Sequence, residues 1–215
     1  MTTEQIRILV IILIVVTAIL LVFFIIYPII RKKHIFNNFK IIYYKKIRKV
    51  ADIRDYYLIN NLTLKQNGKM VCKIDHVLFG DKYIYVIKDR YYRGGIKGEK
   101  EDSTWFFYDK KGNKSEMDNP MKNNELRIEK LSLLTQIDKS FFISVVIIND
   151  DCVIKKMKDL NNESSFIISS SKFQKLVKAI EQRDVQKIDE NQLKFAVEDI
   201  SKLYGQGSED EGEND

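Results

Sequence analysis

Between Arg7 and Arg31 the chain runs through Ile8 to Ile30, twenty-three residues, without a charge. At about 1.5 Å per residue a helix of that length covers roughly 35 Å, enough to cross a hydrocarbon core of about 30 Å with some tilt. A buried helix of a soluble domain rarely runs so far without a polar face. A cleaved secretory leader fits poorly, because MTTEQIR is not basic, the apolar run is too long and no A-x-A-like site follows it. One transmembrane helix over residues 8–30 is therefore predicted, with Pro28 tolerated near its end. Arg31, Lys32, Lys33, Lys40, Lys45, Lys46, Arg48 and Lys49 follow the span before the first acid, Asp52, whereas Arg7 and Glu4 balance each other ahead of it. That bias predicts a single-pass protein of the plasma membrane, with its N-terminus outside and its C-terminal domain cytoplasmic.

Charge and cysteine usage agree with that compartment. Cys72 and Cys152 stand alone in apolar runs without metal-ligand spacing, as reduced and inert thiols do. The formal net charge is +6, and the closing GQGSEDEGEND holds five acids and no base, so residues 1–204 carry +11. Residues 205–215 are expected to be a disordered acidic tail. A basic body often meets nucleic acid. Here, however, eight of the bases crowd residues 31–49, where attraction to anionic lipid accounts for them. The richness in Lys, Ile and Asn is of a bacterial kind.

Past the span, residues 34–50 form a basic amphipathic juxtamembrane helix by the spacing of Phe36, Phe39, Ile42, Tyr43 and Ile47. Strand-like runs follow at Tyr56–Leu64, Val71–Phe79, Tyr83–Lys88, Thr104–Asp109, Phe141–Ile148 and Phe166–Ser169, with turn signals at Asn67, Gly80 and Gly112. This predicts a sheet built mainly of hairpins, with FFISVVII as a central strand buried on both faces. Asn119-Pro120 marks a loop, and helices are expected over Asn124–Ile137, Ser171–Gln182 and Asn191–Tyr204. The class is α+β, a mixed sheet flanked by helices behind one N-terminal transmembrane helix, with residues 51–204 as one domain.

Chemistry concentrates in IDHVLFGDKYIYVIKDRYYRGG, Ile74 to Gly95, two strands joined by a tight turn, with Asp75 at the head of the first and Lys88 and Arg90 on one face of the second. With KIDHVLFG, YIYVIKDRYYRGGIKG, Trp105, DNPMKNN and the amphipathic helix in this order, the stretch from about Tyr57 to Ile148 resembles the nuclease-related domain, NERD, a distant branch of the PD-(D/E)xK restriction-endonuclease-like fold. The resemblance implies a restriction-endonuclease-like core and makes Asp75 an active-site acid. The second strand should then end in a carboxylate, one residue and a lysine, and those places hold Lys88, Asp89 and Arg90. The glutamine expected after the NP is represented by Asn123, and the glycine after the hairpin by Gly94 or Gly95.

These replacements bear on activity. A nuclease site of this type holds a divalent ion between carboxylates, with a lysine beside the attacking water. One acid facing two cations is a poor cradle for Mg²⁺ or Mn²⁺, so the expectation leans against catalysis and against any cofactor. Asp89 alternates to the opposite face and would need a bulge to replace the lost acid. Glu99 or Glu101 is the other candidate for a metal ligand beside Asp75, in an active divalent-metal-dependent nuclease with a migrated carboxylate. A strand acid paired with Lys88 or Arg90 is the equal alternative for Asp75. His76 is expected to be a satisfied or surface histidine, and Trp105 and Phe106 to be core or interface aromatics. Arg90, Tyr91, Tyr92, Arg93 and Lys97 mix bases with rings in a pattern that suits DNA or RNA, and equally a solvated hairpin. Three readings stay open: a degenerate nuclease fold that keeps nucleic-acid or partner binding, an active nuclease, and a scaffold at the membrane. No Walker A loop, C-x-x-C or H-E-x-x-H motif is present.

Overall fold

The computed structural model describes residues 3–66, 69–155 and 160–205, in two compact units, residues 1–42 and 43–215. The turn expected at Asn67 and residues 206–215 of the acidic tail lie outside the described residues.

The first helix, α1, runs from Thr3 to Arg54 with Pro28 inside it, and its backbone leaves helical geometry once, at Asn38 (φ −119°, ψ 15°). There the Asn38 amide donates to the His34 carbonyl at 3.0 Å, an acceptor that a regular helix keeps for its backbone. Its most apolar eighteen-residue window has a mean hydropathy of 3.7 and buries nothing, so by length and composition this helix can cross a membrane. Residues 34–50 belong to the same helix. From Tyr43 onward α1 is part of the folded unit, and Tyr43, Ile47, Val50 and Ala51 are buried there. Asp55, at φ +56°, ends the helix in a left-handed cap, and the Tyr56 N–H turns back onto the Ala51 carbonyl at 2.9 Å.

Strands β1 (Tyr57–Gln66), β2 (Lys69–Phe79) and β3 (Ile84–Asp89) form an antiparallel meander. Gly80 and Tyr83 close the β2–β3 turn through a 2.9 Å backbone bond. The chain then leaves to build most of a second, four-stranded sheet from β4 (Gly94–Lys97), β5 (Thr104–Asp109) and β6 (Lys114–Asp118). Helix α2 (Pro120–Thr135) brings it back to β7 (Phe142–Ile148), which pairs parallel with β3. β8 (Val153–Ile154) closes the second sheet beside β4, and β9 (Ser165–Ser169) extends the first beyond β7. Helices α3 (Phe173–Glu181) and α4 (Glu190–Gly205) end the fold. The first sheet therefore has the order β1-β2-β3-β7-β9, antiparallel on one side of β3 and parallel on the other.

The expected class holds, but two sheets replace the one, and the first is only half hairpins. The short strands β4, β6 and β8 lack the alternating apolar pattern that would have marked them. Every residue of β7 is buried, as a strand covered on both faces requires.

Two apolar clusters hold the unit together. Leu62, Leu64, Val77, Phe79, Val86 and Phe142 meet Ile128 and Leu131 of α2 and Ile200 of α4. Ile96, Trp105, Met121, Val146, Ile148 and Ile167 form the second, between the sheets and the start of α2. The Trp105 indole donates to the Glu99 carbonyl at 2.7 Å. Gly98 leaves room for that ring, since a β-carbon there would lie 2.1 Å from Trp105 Cδ1.

Asn119 and Pro120, expected as a loop, begin α2 instead. Asn119 Oδ1 accepts from Met121 and Lys122 N–H at 2.9 and 3.2 Å, and Pro120 occupies the first helical position, where its missing N–H costs nothing. The same side chain donates Nδ2 to the Lys100 and Asp102 carbonyls at 2.8 and 2.7 Å, so one buried amide joins the β4–β5 loop to the helix. Loss of a cap alone costs about 1 kcal/mol, and orphaned buried carbonyls add to it, so Asn119→Ala is expected to destabilise the folded unit by about 2–3 kcal/mol in urea melts. A loss near that of a bare cap would show that the loop carbonyls find water.

Candidate functional site

Asp75 lies inside β2, not at its head, because β2 begins six residues earlier, at Lys69. It faces Lys88 on β3, and Lys88 Nζ donates to Asp75 Oδ1 at 2.8 Å, both side chains being nearly buried. The other carboxylate oxygen, Oδ2, accepts the Asp89 backbone N–H at 3.0 Å. Asp75 thus continues the hydrogen bonding of β3 beyond the last paired residues, His76 and Ile87. Burial alone would raise the Asp75 carboxyl, but the Lys88 ammonium and the Asp89 N–H outweigh it and hold the group below the usual carboxylate range. Burial lowers Lys88, and Arg90 and Arg127 lower it further, against the pull of Asp75.

Around this pair stand two more cations. Arg90 follows Lys88 by two residues and shares its face, and its N–H is fixed on the Ile147 carbonyl at 2.8 Å. Arg127, which sequence reasoning missed, reaches over from α2. Its Nη1 donates to the Asn123 carbonyl at 2.8 Å and its Nε to the Lys73 carbonyl on β2 at 3.1 Å. The i, i+4 spacing from Asn123 was the only trace of it in the chain. Asn123 contributes its backbone here, while the next amide, Asn124, pins the helix by donating Nδ2 to the Val86 carbonyl at 2.9 Å and to Ser144 Oγ at 3.0 Å.

Asp89 turns to the opposite face, and no bulge interrupts the β2–β3 register that would turn it back. There Asp89 Oδ2 lies 3.0 Å from His76 Nε2, and His76 Nδ1 lies 2.7 Å from Asn60 Oδ1, a chain across β3, β2 and β1. The Tyr44 ring stacks over His76, centroids 6.3 Å apart. His76 is thus a satisfied histidine. Asp89 is 3 % exposed, its Oδ1 lacks a partner, and burial raises its carboxyl.

The remaining candidates are dispersed. Tyr92 packs its ring into the second cluster, 6.2 Å from Phe107, and its backbone is bonded in both directions to the Asn149 amide, at 2.7 and 3.0 Å. Burial pushes its phenol up to about 12. Tyr91 is half-buried, and Arg93 and Lys97 are exposed on the approach to β4 and at its end. Glu99 and Glu101 project from the exposed β4–β5 loop. No group of three or more His, Cys, Asp or Glu side chains gathers among the described residues. Asp75 thus holds one oxygen against an ammonium and the other against a backbone N–H.

A pH dependence follows from Asp75. Its folded value lies below its unfolded one, so its stabilisation is complete above the ordinary aspartate range and is lost as pH falls through the folded value. Asp89, shifted upward, acts with the opposite sign. Asp75→Asn is therefore expected to lower stability at pH 7 and to flatten the acid side of the stability curve. An unchanged acid slope in melts from pH 7 to pH 3 would show that the pair adds nothing net.

The family model described as nuclease-related domain matches residues 33–149, from the second half of α1 to the residue after β7. This is wider than the stretch from Tyr57 expected from the motifs, and it takes in Asp75, Lys88, Arg90, Asn123 and Arg127. No curated protein and no solved structure matches the chain. The order of hairpin, NP-capped helix and buried strand, together with this match over more than half its length, shows that the chain belongs to the nuclease-related domain (NERD) family.

Proposed function

We propose that this NERD protein is anchored in the plasma membrane through residues 8–30, that its domain is cytoplasmic, and that its nuclease-like site no longer cleaves but binds nucleic acid. The observation that carries the reading is the 2.8 Å contact between Lys88 Nζ and Asp75 Oδ1. The family pattern asks for a metal-holding carboxylate at that position, and an ammonium there satisfies the acid internally. Replacing one of two acidic ligands by a cation reverses the local field that would attract a hydrated Mg²⁺. What the site keeps is positive charge, which favours a phosphate backbone.

The full chain in detergent or nanodiscs, incubated with plasmid and with short DNA and RNA strands in Mg²⁺ or Mn²⁺, is expected to leave them intact. Cleavage that disappears in Asp75→Ala would overturn the reading and favour a carboxylate recruited from Glu99 or Glu101. The double change Lys88→Glu with Arg90→Lys rebuilds the family pattern, and it is expected to create a Mn²⁺-dependent rise in melting temperature that the natural sequence lacks. For the anchor, the chain should stay with membranes through alkaline carbonate extraction, and protease added outside intact cells should spare the domain.

A further inference from the structure

We propose that Arg90 and Arg127, beside the Lys88–Asp75 pair, form a phosphate-binding site that works without a divalent ion. The inference rests on the reading above and names the group that the site takes. Arg127 is the less obvious half of it, since it lies outside the motif of the hairpin.

Three observations converge. First, Arg127 is placed by its neighbours: Nε and Nη1 are spent on the Lys73 and Asn123 carbonyls, which clamp the guanidinium between β2 and α2 and leave its other N–H groups for a ligand. Second, the local charges do not cancel. Lys88 has already engaged Asp75, whose charge also acts on Arg127, and no ion pair to Arg90 or Arg127 stands among the described residues. Third, Arg127 is half-buried beside Arg90, and burial first, then the charge of Arg90, lowers its tendency to hold a proton. Half-buried cations that repel each other favour an anion beside them.

The chemistry of the donors selects the anion. Guanidinium forks bind tetrahedral oxyanions through paired N–H bonds, and a phosphate diester offers two free oxygens at once. Chloride offers no such geometry. Lys88, neutralised by Asp75, adds a dipole rather than a full charge, which leaves the two arginines to define the ligand's position. In a metal-dependent relative the ion would supply the positive charge. Here fixed side chains supply it, so chelation is expected to have no effect.

The test uses the full chain in nanodiscs of neutral lipid with EDTA present. Binding of a labelled 20-nucleotide strand is followed by fluorescence anisotropy as salt is raised, and melting temperature is followed in inorganic phosphate against chloride of equal ionic strength. Arg127→Gln and Arg90→Gln are compared with the natural sequence, with Lys187→Gln, an exposed lysine paired with Asp81, as the control. We expect phosphate to raise the melting temperature, and each arginine change to abolish that rise. We also expect each to weaken the strand about tenfold and to reduce the salt slope by about 1, the loss of one phosphate contact. Equal phosphate stabilisation in the natural chain and in Arg127→Gln would overturn the site. So would strand binding that is unmoved by either arginine, although nucleic-acid binding as such would then stand. Phosphate stabilisation that depends on Arg127 without any strand binding would keep the site and overturn the nucleic-acid reading, pointing to a smaller phosphate ester. A requirement for Mg²⁺ in the binding would overturn the metal-free character.

Discussion

The carboxylate of Asp75 holds the middle of this molecule together. It sits where β2 and β3 stop bonding to each other, and it replaces the missing backbone acceptor with its own oxygen. Its second oxygen neutralises a lysine that would otherwise be nearly buried with two arginines near it. A single side chain therefore settles a hydrogen bond and a charge at one point, in surroundings where either left unsettled would be costly. On the proposed reading, a residue that would bind metal in a hydrolase serves here as a structural acid.

Strand β3 faces two different environments, and this explains why its charged end does not fly apart. On one side Lys88 meets Asp75, and on the other Asp89 meets His76. Neighbouring residues of opposite sign are kept apart by the pleat, each with its own partner. The His76 link to Asn60 extends the polar chain across three strands, and with Tyr44 stacked above it the region is shielded from solvent. Tyr43, beside it, directs its hydroxyl to the Arg90 carbonyl at 3.4 Å, so the end of α1 touches the same segment of backbone that carries the cations.

How far the chain could be understood unaided depended on whether a feature was periodic or relational. The apolar span, the β2–β3 hairpin, the doubly buried β7, the amphipathic α2 and the helix α3 were legible, because hydrophobic spacing encodes them directly. The alternation that sends Asp89 away from Lys88 followed from the pleat alone. What escaped was set by partners distant in sequence. Strands β4 and β6 are short and rich in Gly, Lys and Ser, β8 is only two residues long, and only a neighbour across the sheet makes them strands. Asn119 caps α2 through the nearby Met121 and Lys122 N–H groups, but its second grip, on carbonyls 17 and 19 residues away, left no trace in the sequence. Arg127 looked like one solvated base of an amphipathic helix, and only the packing of α2 on β2 brings it to the others.

The double grip of Asn119 has a consequence for how this surface can drift. Because that amide seats both the opening turn of α2 and the loop ahead of β5, the azimuth of the whole helix is inherited from it, and with that the aim of Arg127 two turns downstream. If the proposed phosphate site holds, a harmless-looking replacement at Asn119 would rotate the guanidinium off its ligand while leaving every cation in place. Inventories of charged residues would then register no loss in a protein that had gone silent.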